Sequence, residues 1–209
     1  MKFDMRLFLM IGFALTVLQA PSMAAEAEDK NPVQENTPVT EWIAAERKLV
    51  DTLPLANRET MYILRHKHGI IRTIGVARDE ISGAVQSCGK ENPEIKSDID
   101  NRFSDWERAV LPLIKTAKKS LNREIKEQEA VHESDLRHIL KLNDTAFDYK
   151  NAQIEKTPIA DLKSCKKLLA SLDKTENNLV ALLQEALLPE EVLRNRSERA
   201  SKIKQEKAE

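Results

Sequence analysis

The sequence predicts an all-α protein: an elongated up-down bundle of about four long helices plus a short N-terminal helix, tied by one disulfide. Three observations carry this expectation. Charged residues make up 32% of the chain and aromatic residues only 4%, a balance that favours long helices over a sheet. Apolar residues recur at three- and four-residue steps along most of the chain. Proline and glycine gather at a few points, where they mark helix ends.

Residues 1–24 read as a secretory signal peptide. Lys2 and Arg6 supply a positive start that Asp4 dilutes, Leu7 to Leu18 is apolar apart from Gly12 and Thr16, and Ser22-Met23-Ala24 puts small residues where a signal peptidase cuts. The apolar run of about 12 residues is shorter than the roughly 20 needed to span a bilayer. An uncleaved membrane anchor is the alternative reading. Cleavage after Ala24 leaves 185 of the 209 residues. Loss of Lys2, Arg6 and Asp4 takes the totals of 33 basic and 34 acidic residues to 31 and 33. The near-neutral balance argues against a general nucleic-acid binder.

Residues 25–38 form an acidic, Pro-containing stretch that reads as a flexible linker. The helical domain is expected over 39–188. Its first helix is short, with Thr40 as the expected N-cap, a stripe of Trp42, Ile43, Ala45, Leu49, Val50 and Leu53, and Pro54 as its stop. A second helix should run from about Asn57 to Cys88. Its main face is Leu64, His68, Ile71, Ile74, Ile81, Val85 and Cys88, and Ile63, Ile70 and Ala77 add another. Gly69, Gly75 and Gly83 inside this helix imply close approach by a neighbour or a bend, and Gly89 fits a C-terminal cap.

Asn92-Pro93-Glu94 opens the third helix as N-cap, first-turn proline and first-turn acid. Ile99, Phe103, Trp106, Val110, Leu113, Ala117 and Leu121 follow, with Pro112 expected to kink the run. The next boundary falls either near Leu121-Asn122 or between Val131 and Ser134. Thr157-Pro158 is expected to start the last long helix, with the seam Leu162, Cys165, Leu169, Leu172, Leu179, Leu183 and Ala186. Residues 189–209 are a charged tail, either exposed helix or disordered.

An even cysteine count in an exported chain points to a Cys88–Cys165 disulfide, with two buried free thiols as the alternative. Helix lengths at 1.5 Å per residue bear on this pairing. With a break near Leu121, the third helix descends roughly 42 Å and the fourth climbs roughly 52 Å, which brings Cys165 back to the level of Cys88. With a break near Ser134, the levels differ by roughly 35 Å, too far for a disulfide. The disulfide therefore favours the earlier break.

The candidate site residues are few. His66 and His68 lie on the second helix, and His132 and His138 on the fourth. Imidazoles on two facing helices could ligate a metal, with His68 and His132 the best-placed pair. Neither pair has the four-residue spacing of a clamp, so satisfied or solvent-facing histidines are the plainer reading. Lys115, Lys118, Lys119, Arg123 and Lys126 form a basic cluster, either a solvated helix face or a surface for anionic membrane or polyanion. Asn143-Asp144-Thr145 and Asn195-Arg196-Ser197 are glycosylation sequons, relevant only in a eukaryotic source. No GxSxG, HExxH, Walker, GxGxxG or CxxCH pattern occurs.

These features lead to an expectation of a periplasmic or extracellular helical protein without enzymatic activity or cofactor. Its expected partner is an unidentified protein or envelope component, not nucleic acid, and no integral membrane segment should remain after cleavage. The alternative is a small-ligand or metal-binding bundle using His66, His68, His132 and His138.

Overall fold

The structure, a computed structural model, describes residues 37–195. The stretch read as a signal peptide, nearly all of the expected linker and the tail beyond 195 lie outside the described residues. Five α-helices follow in order: α1 (Pro38–Thr52), α2 (Leu55–Glu91), α3 (Lys96–Glu127), α4 (Glu133–Ala152) and α5 (Leu162–Ala186), with a 3-10 turn, Pro93–Ile95, before α3. Residues 190–195 are helical as well, and the described residues contain no strand. The all-α expectation is met. So is the disulfide: Cys88 and Cys165 are bonded, with their Cα atoms 5.6 Å apart.

α2, α3 and α5 pack against one another, while α4 packs mainly on α1 and touches α2 and α3 more sparsely. The core comes from heptad-like stripes. On α3, Ile99, Phe103, Trp106, Val110, Ile114, Ala117, Leu121 and Ile125 are buried at three- and four-residue steps. Ile114 takes the core position expected of Leu113, which is only partly buried. On α5, Cys165, Leu172, Leu179 and Ala186 fall seven apart, with Leu183 completing the seam. Phe103 and Trp106 stack with ring centroids 5.7 Å apart. Each large apolar side chain buried this way contributes about 1.5–3 kcal/mol.

Local boundaries differ from expectation, each for a physical reason. The α1 cap is Thr37, not Thr40. Thr37 Oγ1 accepts from the Thr40 amide at 3.3 Å, and Thr40 Oγ1 accepts from the Thr37 amide at 2.9 Å. This reciprocal capping box puts Pro38 at the first helical position, which it favours. α5 starts at Leu162 because Asp161 caps it, its carboxylate accepting the Ser164 amide at 2.9 Å. A hydrogen bond from the Ser164 side chain, followed by this amide bond, holds the Asp161 carboxyl below its ordinary pKa. Thr157-Pro158 instead lies in the irregular segment before the helix.

Asn92 does not cap α3. Its Nδ2 donates to the Cys88 carbonyl at 3.1 Å and the Ala160 carbonyl at 2.8 Å, tying the segment before α5 to the end of α2. Gly89 is no left-handed cap either. No glycine among the described residues has positive φ, and a side chain at Gly89 would meet Lys96 Cγ at 3.2 Å. Gly69, Gly75 and Gly83 do not mark close approach, since a Cβ at each would meet no atom within 4 Å.

The third helix ends at Glu127, so the break lies at 128–132 rather than near Leu121. The disulfide forms all the same, because α4 stops early. α3, of 32 residues, descends about 48 Å, and α4, of 20 residues, returns about 30 Å. Residues 153–161 are largely irregular and can cover up to about 30 Å, more than the roughly 18 Å still missing. The error lay in treating this stretch as helix at 1.5 Å per residue.

α4 runs parallel to α2 in fixed register. His68 pairs with Asp144 and Arg72 with Asp148, each 76 positions apart, and Glu80 keeps the same offset with Lys156 just beyond α4. Residues 190–194 also dock, although the segment from 189 onward was expected to stand apart. Thr60 Oγ1 donates to Glu190 at 2.6 Å, Arg194 pairs with Glu59 at 3.5 Å, and Leu193 is buried.

Candidate functional site, a basic cleft between α2, α3 and α4

Because α4 leans on α1, a cleft of about 420 Å³ opens between it and the other two helices. Each helix contributes four lining residues: His68, Ile71, Arg72 and Gly75 from α2; Lys118, Leu121, Asn122 and Ile125 from α3; Arg137, Leu140, Lys141 and Asp144 from α4. The floor is apolar. Ile71, Leu121, Ile125 and Leu140 are core residues that turn one edge to the cleft. Gly75 leaves its part of the α2 wall bare, with no atom near the missing Cβ.

The polar groups lie above this floor. Asp144 is the only carboxylate in the lining. Its Oδ1 lies 2.8 Å from His68 Nε2 and 3.6 Å from Arg72 Nε. Arg72 also pairs with Asp148, and its guanidinium stacks over Phe147 at 5.6 Å. Arg72 Nε is shielded from solvent and makes no hydrogen bond. Arg137 is held on two sides, its Nε donating to Glu133 at 2.7 Å and a terminal nitrogen to Asn122 at 3.2 Å. Lys118 and Lys141 have no ion-pair partner among the described residues. The cleft thus presents two anchored guanidiniums and two unpaired ammoniums, against one carboxylate already engaged twice.

The histidines do not gather. His68 bonds Asp144, twelve residues beyond His132 on α4 or about 18 Å along the helix. His132 Nδ1 lies 2.8 Å from the Ser134 hydroxyl. His66 Nε2 lies 3.3 Å from Glu185, on the α5 side of α2. His138 sits between α4 and α1, beside Leu49 and Thr52. Among the described residues no group of three or more His, Cys, Asp or Glu side chains could hold a metal ion.

Sequence reasoning missed the most deeply buried charge. Lys67 is wholly buried, its Nζ donating to Glu124 Oε2 at 2.5 Å and to the Leu188 carbonyl at 2.6 Å. Ser120 donates to the other Glu124 oxygen at 3.0 Å. The signal was present in the spacing: position 67 lies between Leu64 and Ile71, three and four residues away on the core stripe.

Fold and cleft together define a disulfide-tied helical bundle with a cation-rimmed, apolar-floored site. Set against known protein families, curated proteins and solved structures, the chain matches none. No helix among the described residues is long and apolar enough to cross a membrane.

Proposed function

We propose that the chain is an exported, non-enzymatic binding module that takes an anionic ligand in the cleft between α2, α3 and α4. The observation that carries the reading is the convergence of Arg72, Lys118, Arg137 and Lys141 from three helices on one concavity. A concave apolar site with a few convergent polar groups is where ligands bind. Binding rather than chemistry fits the lining, which holds no Ser, Thr or Cys for His68 to activate. Export is supported by the signal-like residues 1–24 and agrees with a disulfide, which persists in oxidising compartments.

Titration with pyrophosphate, followed by amide NMR, tests the site. Shifts should concentrate at 68–75, 118–125 and 137–144 and vanish in the double variant Lys118→Ala with Lys141→Ala. Shifts spread evenly over surface lysines would refute it. Mass spectrometry of the exported chain tests the other half of the reading, with Ala25 expected as its first residue.

A further inference from the structure

The basic surface does not stop at the cleft. Between Glu107 and Glu124 the chain has no acidic residue, in a protein whose net charge is −1. Both flanking acids are engaged elsewhere: Glu107 binds Arg78 at 2.7 Å, and Glu124 binds the buried Lys67. Leu111, Lys115, Lys118 and Lys119 in this stretch, with Lys126 just beyond Glu124, recur at three-, four- and seven-residue steps, so they share one face of α3 about 22 Å long. All four lysines are exposed and have no ion-pair partner among the described residues. Leu111, on the same face, is 40% exposed. Lys118 belongs to both this face and the cleft.

We infer that this face of α3 docks on an anionic lipid bilayer, with the cleft receiving a phosphate headgroup. The inference rests on the reading of the cleft as an anion site and names its partner. A row of unpaired lysines along one helix face is drawn to anionic headgroups, and an exposed leucine in the row can enter the headgroup boundary. A soluble polyanion would use the lysines but leave Leu111 without a role. That residue decides between the two partners.

The test is flotation of the purified protein with phosphatidylglycerol–phosphatidylcholine vesicles against phosphatidylcholine alone. The difference between the two cancels any contribution from the apolar run at 7–18. Anionic vesicles should bind, and binding should weaken about fivefold for each lysine removed. The triple variant Lys115→Ala, Lys119→Ala, Lys126→Ala should therefore bind about a hundredfold more weakly. It should still respond to pyrophosphate in the cleft, which also shows that it folds. Leu111→Asn should weaken the vesicle binding that survives at high salt, where charge is screened. Equal binding to both vesicle types, or indifference to the triple change, overturns the inference. So does heparin or duplex DNA binding the lysine face when vesicles do not. Cleft binding of pyrophosphate without vesicle binding sinks this inference alone, whereas loss of both sinks the cleft reading as well.

Discussion

Lys67 and Glu124 form an ion pair across α2 and α3 in which the lysine side chain is fully buried and the carboxylate one-quarter exposed. The lysine also closes the end of α5 by donating to the Leu188 carbonyl. Removing one partner of such a pair strands the other. Glu124→Gln leaves a buried ammonium with only a carbonyl and a neutral amide, and should cost about 3 kcal/mol. Lys67→Met leaves a carboxylate that can turn to solvent, and should cost less, about 1–2 kcal/mol. Urea denaturation of both variants checks the order. A methionine variant less stable than the glutamine one would refute the account.

Gly69, Gly75 and Gly83 lie inside α2 with space around each missing Cβ. Alanine should therefore stabilise the protein by up to about 1 kcal/mol at Gly69 and Gly83. Gly75→Ala should stabilise comparably but narrow the cleft, so thermal stability and pyrophosphate affinity should move in opposite directions. A fall in melting temperature at Gly69 or Gly83 would show that the helix needs glycine for another reason.

The Cys88–Cys165 bond joins residues 77 apart and ties the end of α2 to the start of α5. Its loss should cost about 2–5 kcal/mol. The double change to alanine should destabilise no more than either single change, because each alone already breaks the tie. Both cysteines are held in the bond, so thiol labelling of denatured, unreduced protein should find neither.

Truncation after Pro189 removes the buried Leu193 and the contacts of Glu190 and Arg194 with Thr60 and Glu59. The expected loss is about 2 kcal/mol, set mainly by the leucine. Differential scanning calorimetry of the shortened chain measures it directly. An unchanged melting temperature would mean that this short helix adds no stability.

The core stripes were legible in the sequence because burial imposes a three- and four-residue period that Ile99 through Leu121 and Cys165 through Ala186 keep almost without fault. The disulfide was legible from the even cysteine count and the signal-like start of the sequence. Boundaries were harder. Thr37, Thr40, Asp161 and Thr157 are all competent caps, and spacing alone does not say which carboxylate or hydroxyl meets an unpaired amide. The cleft was invisible because it is made by a gap. Nothing in the local sequence of α4 says that it leans on α1 rather than filling the groove beside α2. The lysines were noticed as a run, but their lack of partners appears only once Glu107 and Glu124 are seen to face Arg78 and Lys67.

The segment that carries the chain from α4 to α5 is exposed from Ala152 through Pro158, and the disulfide lies astride it. A protease cutting there would divide the chain into one piece carrying Cys88 and another carrying Cys165. The two pieces would remain covalently joined, each still holding its share of the helical core. Such a nicked molecule would migrate as one band without reductant and as two with it, a processed two-chain form that the fold permits without coming apart.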